Sequence, residues 1–241
     1  MSSPTNNGPI LAFGAHPDDI EFGCGGAIVR ETRNGRTAYF VICSSGESAT
    51  NGTPGQRTLE AKQSATLLGA STEFIELDGD AHLQVRSEHI IRLAEIIRRH
   101  QPATVLAPSY VENQHPDHGR LGKMVRDAAR LARFGGVKEL LELAPFAIEQ
   151  LFFYAVTPEG EPTDVTPVLI DISSLEIMAA WTTAMKAHPS QASTRNYVEL
   201  QLTRARLWGL RAGVEYACPL YPNEPLIFDS IADAGRGVRR F

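Results

Sequence analysis

The sequence predicts a Rossmann-like doubly wound α/β fold, a mainly parallel sheet with helices on both faces. Three observations lead there. Short apolar, β-branched runs alternate with helix-spaced stretches through the first half. Glycine or proline signals close those stretches, and 241 residues suit one such domain better than two. Alternation of this kind builds βαβ units with right-handed crossovers. The chain reads as a single domain over residues 1–241, led by a flexible polar stretch at 1–8.

The strand-like runs fall at residues 10–15, 37–43, 72–77 and 103–107. Between them, the helix predicted over 20–33 gathers Ile20, Ala27, Ile28 and Thr32 near one face and stops at Gly35. A second, over 57–68, aligns Leu59, Ala61, Ala65 and Leu68 before Gly69. The third, over 90–99, carries Ile90, Leu93, Ala94 and Ile97 and ends at His100-Gln101-Pro102. Later, 119–134, 175–186 and 194–210 read as helices, and 150–156, 168–172 and 226–228 as strands. The Gly/Pro-rich 157–167 reads as a loop, not an interdomain linker.

Composition excludes several classes. Lys and Arg number 23 against 28 Asp and Glu, a net charge of −5, and no basic stripe marks a nucleic-acid footprint. The short tail of Arg236, Arg239 and Arg240 reads as a frayed terminus. Three cysteines without a framework spacing point to a reducing compartment. The N-terminus lacks a signal-peptide pattern, and no apolar run approaches the ~20 residues of a spanning helix. The expectation is a cytoplasmic protein without a membrane partner.

Chemistry concentrates in two loops. Ala15-His16-Pro17-Asp18-Asp19-Ile20-Glu21 follows the first strand, and Gln114-His115-Pro116-Asp117-His118 follows the fourth. With strand order 3-2-1-4-5, strands 1 and 4 are neighbours. The crevice beyond their carboxyl ends is where such sheets bind ligands. Imidazole and carboxylate are ordinary Zn²⁺ ligands, and a catalytic site keeps three protein ligands and an open position. His16 and Asp19 lie one turn apart at a helix start, so both can face one ion, and His118 can close the triad. Asp18 is then free to accept a proton from water acidified by the metal. His115, paired with Asp117, would be an imidazolium suited to a developing oxyanion. Either motif alone also fits turn chemistry, with Asp18 or Asp19 capping the next helix.

His82, His89 and His100 read as surface or structural residues. Cys24, in Gly23-Cys24-Gly25-Gly26, is either a thiolate ligand or, more economically, a small buried residue beside glycines that let helix and sheet approach. That run fails the dinucleotide-binding pattern.

The His-Pro-Asp-Asp loop, the Gly-Cys-Gly-Gly run and His115-Pro116-Asp117-His118 together resemble the LmbE/PIG-L family of zinc-dependent N-deacetylases. The resemblance extends to Arg57-Thr58-Leu59-Glu60 and to Lys186-Ala187-His188-Pro189-Ser190-Gln191. It implies His16, Asp19 and His118 as metal ligands, with zinc or else iron(II) as the ion. It likewise implies Asp18 as general base, His115 for the oxyanion, Asp117 to orient His115, and Arg57 and His188 at the substrate. The partner implied is a small N-acylated sugar, an N-acetylglucosaminyl conjugate, and relatives of this kind often form homo-oligomers. A different amidase on a sugar–thiol conjugate, or a non-catalytic sugar or nucleotide module, are the competing readings. The chain departs from the family pattern where Gly213-Val214-Glu215-Tyr216-Ala217 runs into Cys218-Pro219-Leu220-Tyr221, which leaves the substrate open.

Overall fold

The computed structural model describes residues 8–111, 115–193 and 196–238. Residues 1–7, Gln114, the Thr194 end of the last predicted helix and Arg239–Arg240 lie outside the described residues. Chain order is β1 (Ile10–Gly14), α1 (Asp19–Arg33), β2 (Ala38–Ile42), α2 (Pro54–Leu67), β3 (Ala70–Phe74), α3 (Ser87–His100) and β4 (Thr104–Pro108). There follow α4 (Pro116–Leu131), β5 (Gln150–Tyr154), β6 (Val168–Asp171), α5 (Leu175–Lys186), α6 (Pro189–Ala192), α7 (Tyr197–Ala212) and β7 (Ala217–Pro222).

One seven-stranded sheet has the order β3-β2-β1-β4-β5-β7-β6. Its first five strands are parallel, and β7 runs antiparallel to both β5 and β6. The chain therefore leaves β1 in one direction across the sheet and β4 in the other. Beyond these two carboxyl ends lies the crevice that a doubly wound sheet offers to a ligand.

Every residue of β1 is buried, as expected for a strand covered on both faces. Ile10 and Ala12 pack with Phe22, Ile28, Phe40 and Trp181. Leu11 and Phe13 pack on the other side with Leu93, Ile97, Val105 and Met124. The helix stops act as read: Gly35, Gly69 and Gln101 adopt φ of 88°, 75° and 45°, the left-handed geometry that ends a helix. Helix α2 begins earlier than its apolar spacing suggests. Pro54 occupies its first turn, and Thr53 accepts the Gln56 N–H.

One expectation fails. Residues 226–228 form no strand, and Ile227 stands 94% exposed. The last strand is instead β7, whose Pro219 and Pro222 argue against strand in any sequence reading, although Pro219 sits opposite Leu169 in the ladder. The glycine run of α1 lets large side chains approach. A Cβ on Gly23 would lie 2.2 Å from the Tyr154 ring, and one on Gly25 2.8 Å from Trp181. Tyr154 uses that space to reach across the sheet, donating its hydroxyl to the Phe13 carbonyl at 2.7 Å. Cys24 is fully buried in the same apolar cluster, and burial pushes its thiol well up. It packs there as a small apolar residue.

Candidate active site

Strand β1 feeds almost directly into α1, and Asp19 organises the turn between them. Its Oδ2 accepts the backbone N–H groups of Ala15 and His16 at 2.8 and 2.9 Å. Its Oδ1 lies 3.0 Å from His118 Nε2, on the first turn of α4, where Pro116 starts the helix. His16 Nδ1 lies 3.2 Å from the same His118 nitrogen and 3.5 Å from Asp19 Oδ2. All three side chains are buried. Burial opposes ionisation of Asp19, but the imidazoles of His118 and His16 outweigh it and hold the carboxyl well below its ordinary range.

These separations test whether a metal fits. Zn–N and Zn–O bonds of about 2.0–2.1 Å in a tetrahedron keep ligand atoms about 3.3 Å apart. The imidazole pair at 3.2 Å and the contacts to Asp19 at 3.0 Å (Oδ1) and 3.5 Å (Oδ2) lie close to that spacing, and two imidazoles with one carboxylate suit zinc or iron(II). His16 also gathers with His115 and His118, and with Asp80 and Asp117, so it stands at the centre of every cation-binding combination that these side chains offer.

The far nitrogen of His16 meets residues that sequence reasoning missed in part. His16 Nε2 lies 3.0 Å from Asp80 Oδ1 and 3.5 Å from Asp117 Oδ2, in ion-pair range without hydrogen-bond alignment. Carboxylates behind a ligating imidazole raise its basicity and fix its orientation. Asp80 belongs to the loop after β3, whose carboxyl end shares the β1 edge. Its backbone N–H donates to Glu47 at 2.6 Å, and its carboxylate accepts the Ser48 N–H at 3.2 Å. The Asp78-Gly79-Asp80 turn was the signal available in the sequence.

Asp18 stands apart from the trio. Its φ of 119° and ψ of −25° lie in a region few non-glycine residues occupy, and its side chain makes no cap to α1. Capping is thus not its role. The neighbouring Ala81, at φ 66°, also lines the cavity, and such strain gathers at functional sites. Burial and the adjacent Asp19 raise the Asp18 carboxyl to about 6, against Arg57, His188 and His16.

Three expected roles are altered by the geometry. Arg57 lines the cavity, yet its guanidinium donates to the carbonyls of Gly46 and Pro17 at 3.1 and 3.0 Å and to Asp18 Oδ2 at 3.4 Å. It braces the Asp18 loop rather than standing open to substrate. Nor does it pair with Glu60, which binds Ser190 and Gln56 at 2.5 and 2.8 Å. His188 is 1% exposed and faces Glu21 at 3.4 Å. It is absent from the cavity lining, so a contact with substrate would require these surroundings to open. Asp117 does not turn its carboxylate to His115: Oδ2 accepts the Ala81 N–H at 2.7 Å and Oδ1 faces Arg120 at 3.3 Å. Instead the Asp117 backbone N–H donates to His115 Nδ1 at 3.3 Å. Burial, with His16 and His118 nearby, lowers the His115 pKa, and with Nδ1 accepting the Asp117 N–H, Nε2 is the ring nitrogen left to face the cavity as a donor. His82, His89 and His100 make local contacts with Asp80, Gln84 and Glu73, as a structural role requires.

The site opens into a cavity of about 610 Å³ lined by His16, Asp18, Asp19, His115, His118 and Phe22, among others. No helix among the described residues is long and apolar enough to cross a membrane.

Residues 11–129 match the family described as PIG-L: GlcNAc-PI de-N-acetylase. The fold superposes on the conserved protein TT1542 from Thermus thermophilus with a TM-score of 0.81 and 30% identity, covering 92% of this chain and 97% of that one. The chain belongs to the LmbE/PIG-L family. The chain is also similar to the diacetylchitobiose deacetylase of Thermococcus kodakarensis, 29% identical over 196 residues, covering 76% of this chain and 69% of that one. The 4-oxalmesaconate hydratase of Pseudomonas putida is 32% identical over 151 residues, 57% of each chain. Matched stretches span 57% to 69% of the lengths of the curated relatives. The relatives that this chain resembles thus bear the names of more than one chemistry.

Proposed function

We infer that this chain hydrolyses the N-acetyl group of an N-acetylglucosaminyl-type small molecule, at a divalent metal held by His16, Asp19 and His118. The observation that carries the reading is the convergence of His16, His118 and the two oxygens of Asp19, each pair of side chains 3.5 Å or less apart, in the lining of one cavity, beside an acid outside that trio. A zinc or iron(II) ion held there supplies Lewis acidity and makes water acidic near neutral pH.

The chain's own residues do the rest. Asp18 takes the proton of the attacking water and returns it to the departing amine, giving a free amine and acetate. Its raised pKa suits a group that must both accept and give a proton near neutrality. Arg57 keeps the Asp18 carboxylate in place. His115 donates from Nε2 to the amide oxygen as negative charge builds there. Asp80 and Asp117 back the far side of His16.

A hydratase acting on a polycarboxylate, as the Pseudomonas relative's name implies, would need cations in the cavity. Arg57 is the one Lys or Arg side chain among the described lining residues; its Nη1 and Nη2 donate to Gly46, Pro17 and Asp18, and its Nε is buried. That favours an uncharged amide substrate. The test is incubation of the zinc-loaded protein with N-acetylglucosamine, N,N′-diacetylchitobiose and an N-acetylglucosaminyl conjugate, with and without chelator. Chelator-sensitive release of acetate and free amine is expected. A larger acid product would move the reading to another amidase, and no amine from any of the three would overturn it.

A further inference from the structure

One wall of the cavity is made by residues 155–161, which follow β5. Because β5 lies parallel beside β4, this segment emerges next to the loop bearing His115 and His118. Val156, Thr157 and Glu159 line the cavity there, and the only regular structure in the segment is a single 3-10 turn at Pro158–Gly160. A segment this short satisfies few of its own polar groups, so outside partners must set its shape.

Helix α7 supplies them. Gln201 Nε2 donates to the Val156 carbonyl at 2.7 Å, and Arg204 Nη1 donates to the Ala155 carbonyl at 2.7 Å. At the other end of the segment, Arg204 Nε donates to Glu161 Oε1 at 2.5 Å, and Trp208 Nε1 reaches the same oxygen at 3.2 Å. Gln201 Oε1 in turn accepts from Arg204 Nη1 at 3.3 Å. Both side chains are buried, at 2% and 7% exposure. Residues three apart share a helix face, so both ends of the wall hang on one face of one helix. The same helix presents Tyr197 to the cavity, edge-on to Phe22 with ring centroids 6.0 Å apart.

Burying an arginine is costly unless donors are used, and here Arg204 Nε and Nη1 tie the end and the start of a substrate-facing loop, while its buried Nη2 makes no hydrogen bond among the described residues. Such a wall discriminates by shape, because it cannot yield to a poorly fitting ligand without breaking those bonds. The cavity of about 610 Å³ also lies in the range of ligands larger than one sugar ring.

We propose that α7 is the specificity element of this site. Gln201 and Arg204 are positioning residues that hold residues 155–161 against a second ring, or an uncharged group of similar size, attached to the acylated sugar. Phe22 and Tyr197 form the apolar surface facing it. This rests on the N-acetyl-sugar reading above and names the part of the substrate that the metal end does not touch.

The test compares a one-ring and a two-ring probe, N-acetylglucosamine and N,N′-diacetylchitobiose, in wild type, Arg204→Lys and Glu161→Gln. Arg204→Lys keeps the charge and loses the fork, and Glu161→Gln releases the same clamp from the wall. Each should lower the preference for the two-ring probe by about five- to tenfold, mainly through KM, with metal content unchanged. A purely structural role would lower kcat/KM for both probes alike, and that result, or an unmoved preference, overturns the proposal. Calorimetric binding of the two probes to the zinc-loaded proteins reads the same preference without turnover. If wild type releases no acetate but the binding preference moves, the deacetylation reading falls and the wall stands. An unmoved binding preference, or no binding of either sugar, removes the wall as well.

Discussion

His16 Nδ1 and His118 Nε2 face each other at 3.2 Å although 102 positions separate them. Two ring nitrogens brought this close, with the Asp19 carboxylate beside both, make a strong cation site. His118→Ala should therefore abolish binding of one zinc per chain, measured by elemental analysis after dialysis. Chelation of wild type should lower its Tm, since an ion bound to the folded state alone stabilises it by mass action. Equal zinc in mutant and wild type would remove His118 from the ligand set.

Asp18 and Arg57 act as a pair, 3.4 Å apart. Asp18→Asn should cost roughly 10²–10⁴ in kcat, the usual worth of a positioned base, while zinc content stays near wild type. Arg57→Lys should lose the two carbonyl bonds that the guanidinium fork makes to Gly46 and Pro17. Its loss should fall on kcat more than on KM. Steady-state kinetics on a turned-over sugar decides both, and a pure KM effect would return Arg57 to direct substrate contact.

The parts of this site that the sequence discloses are those set by local pattern. Strands β1 and β4 carry clear apolar runs, and their adjacency follows from the crossover rules, so the meeting of His16 with His118 can be foreseen. Asp80 is marked only by its Asp78-Gly79-Asp80 turn, because its place depends on the bond it donates to Glu47 and the one it accepts from Ser48 across two loops. Strand β7 hides behind two prolines. His188 sits in a polar motif that gives no hint of burial; its surroundings come from Glu21, on a helix at the other end of the chain. Gln201 and Arg204 look like the polar face of an amphipathic helix until their partners on residues 155–161 are seen.

Gly23 tests how tightly α1 must seat. A Cβ there would lie 2.2 Å from a ring carbon of Tyr154, and Tyr154 cannot retreat without losing its bond to Phe13. Gly23→Ala should destabilise the fold by about 1–3 kcal/mol, the usual cost of overpacking a filled core. Tyr154→Phe, which loses only the hydroxyl bond, should cost about 1 kcal/mol. Combining them should give less than their sum if the ring is what the methyl displaces. Urea unfolding of the three variants measures this, and strict additivity would show that Gly23 and Tyr154 do not share the strain.

The His188–Glu21 pair predicts a pH dependence of stability. Burial opposes protonation of His188, but Glu21, then Asp18 and Glu60, outweigh it and raise its pKa above the ordinary value. A folded-state pKa above the unfolded one, about 6.5, means that the folded state holds the proton more tightly. The resulting stability is full below pH 6.5 and is lost as pH rises through the folded value. His188→Gln should therefore flatten the decline of unfolding free energy between pH 6 and pH 9. It should also cost about 3–5 kcal/mol at pH 6, because it strands a buried carboxylate, and Glu21→Gln in the same chain should restore much of that. An equally steep decline in wild type and His188→Gln would mean that the pair carries no linked proton.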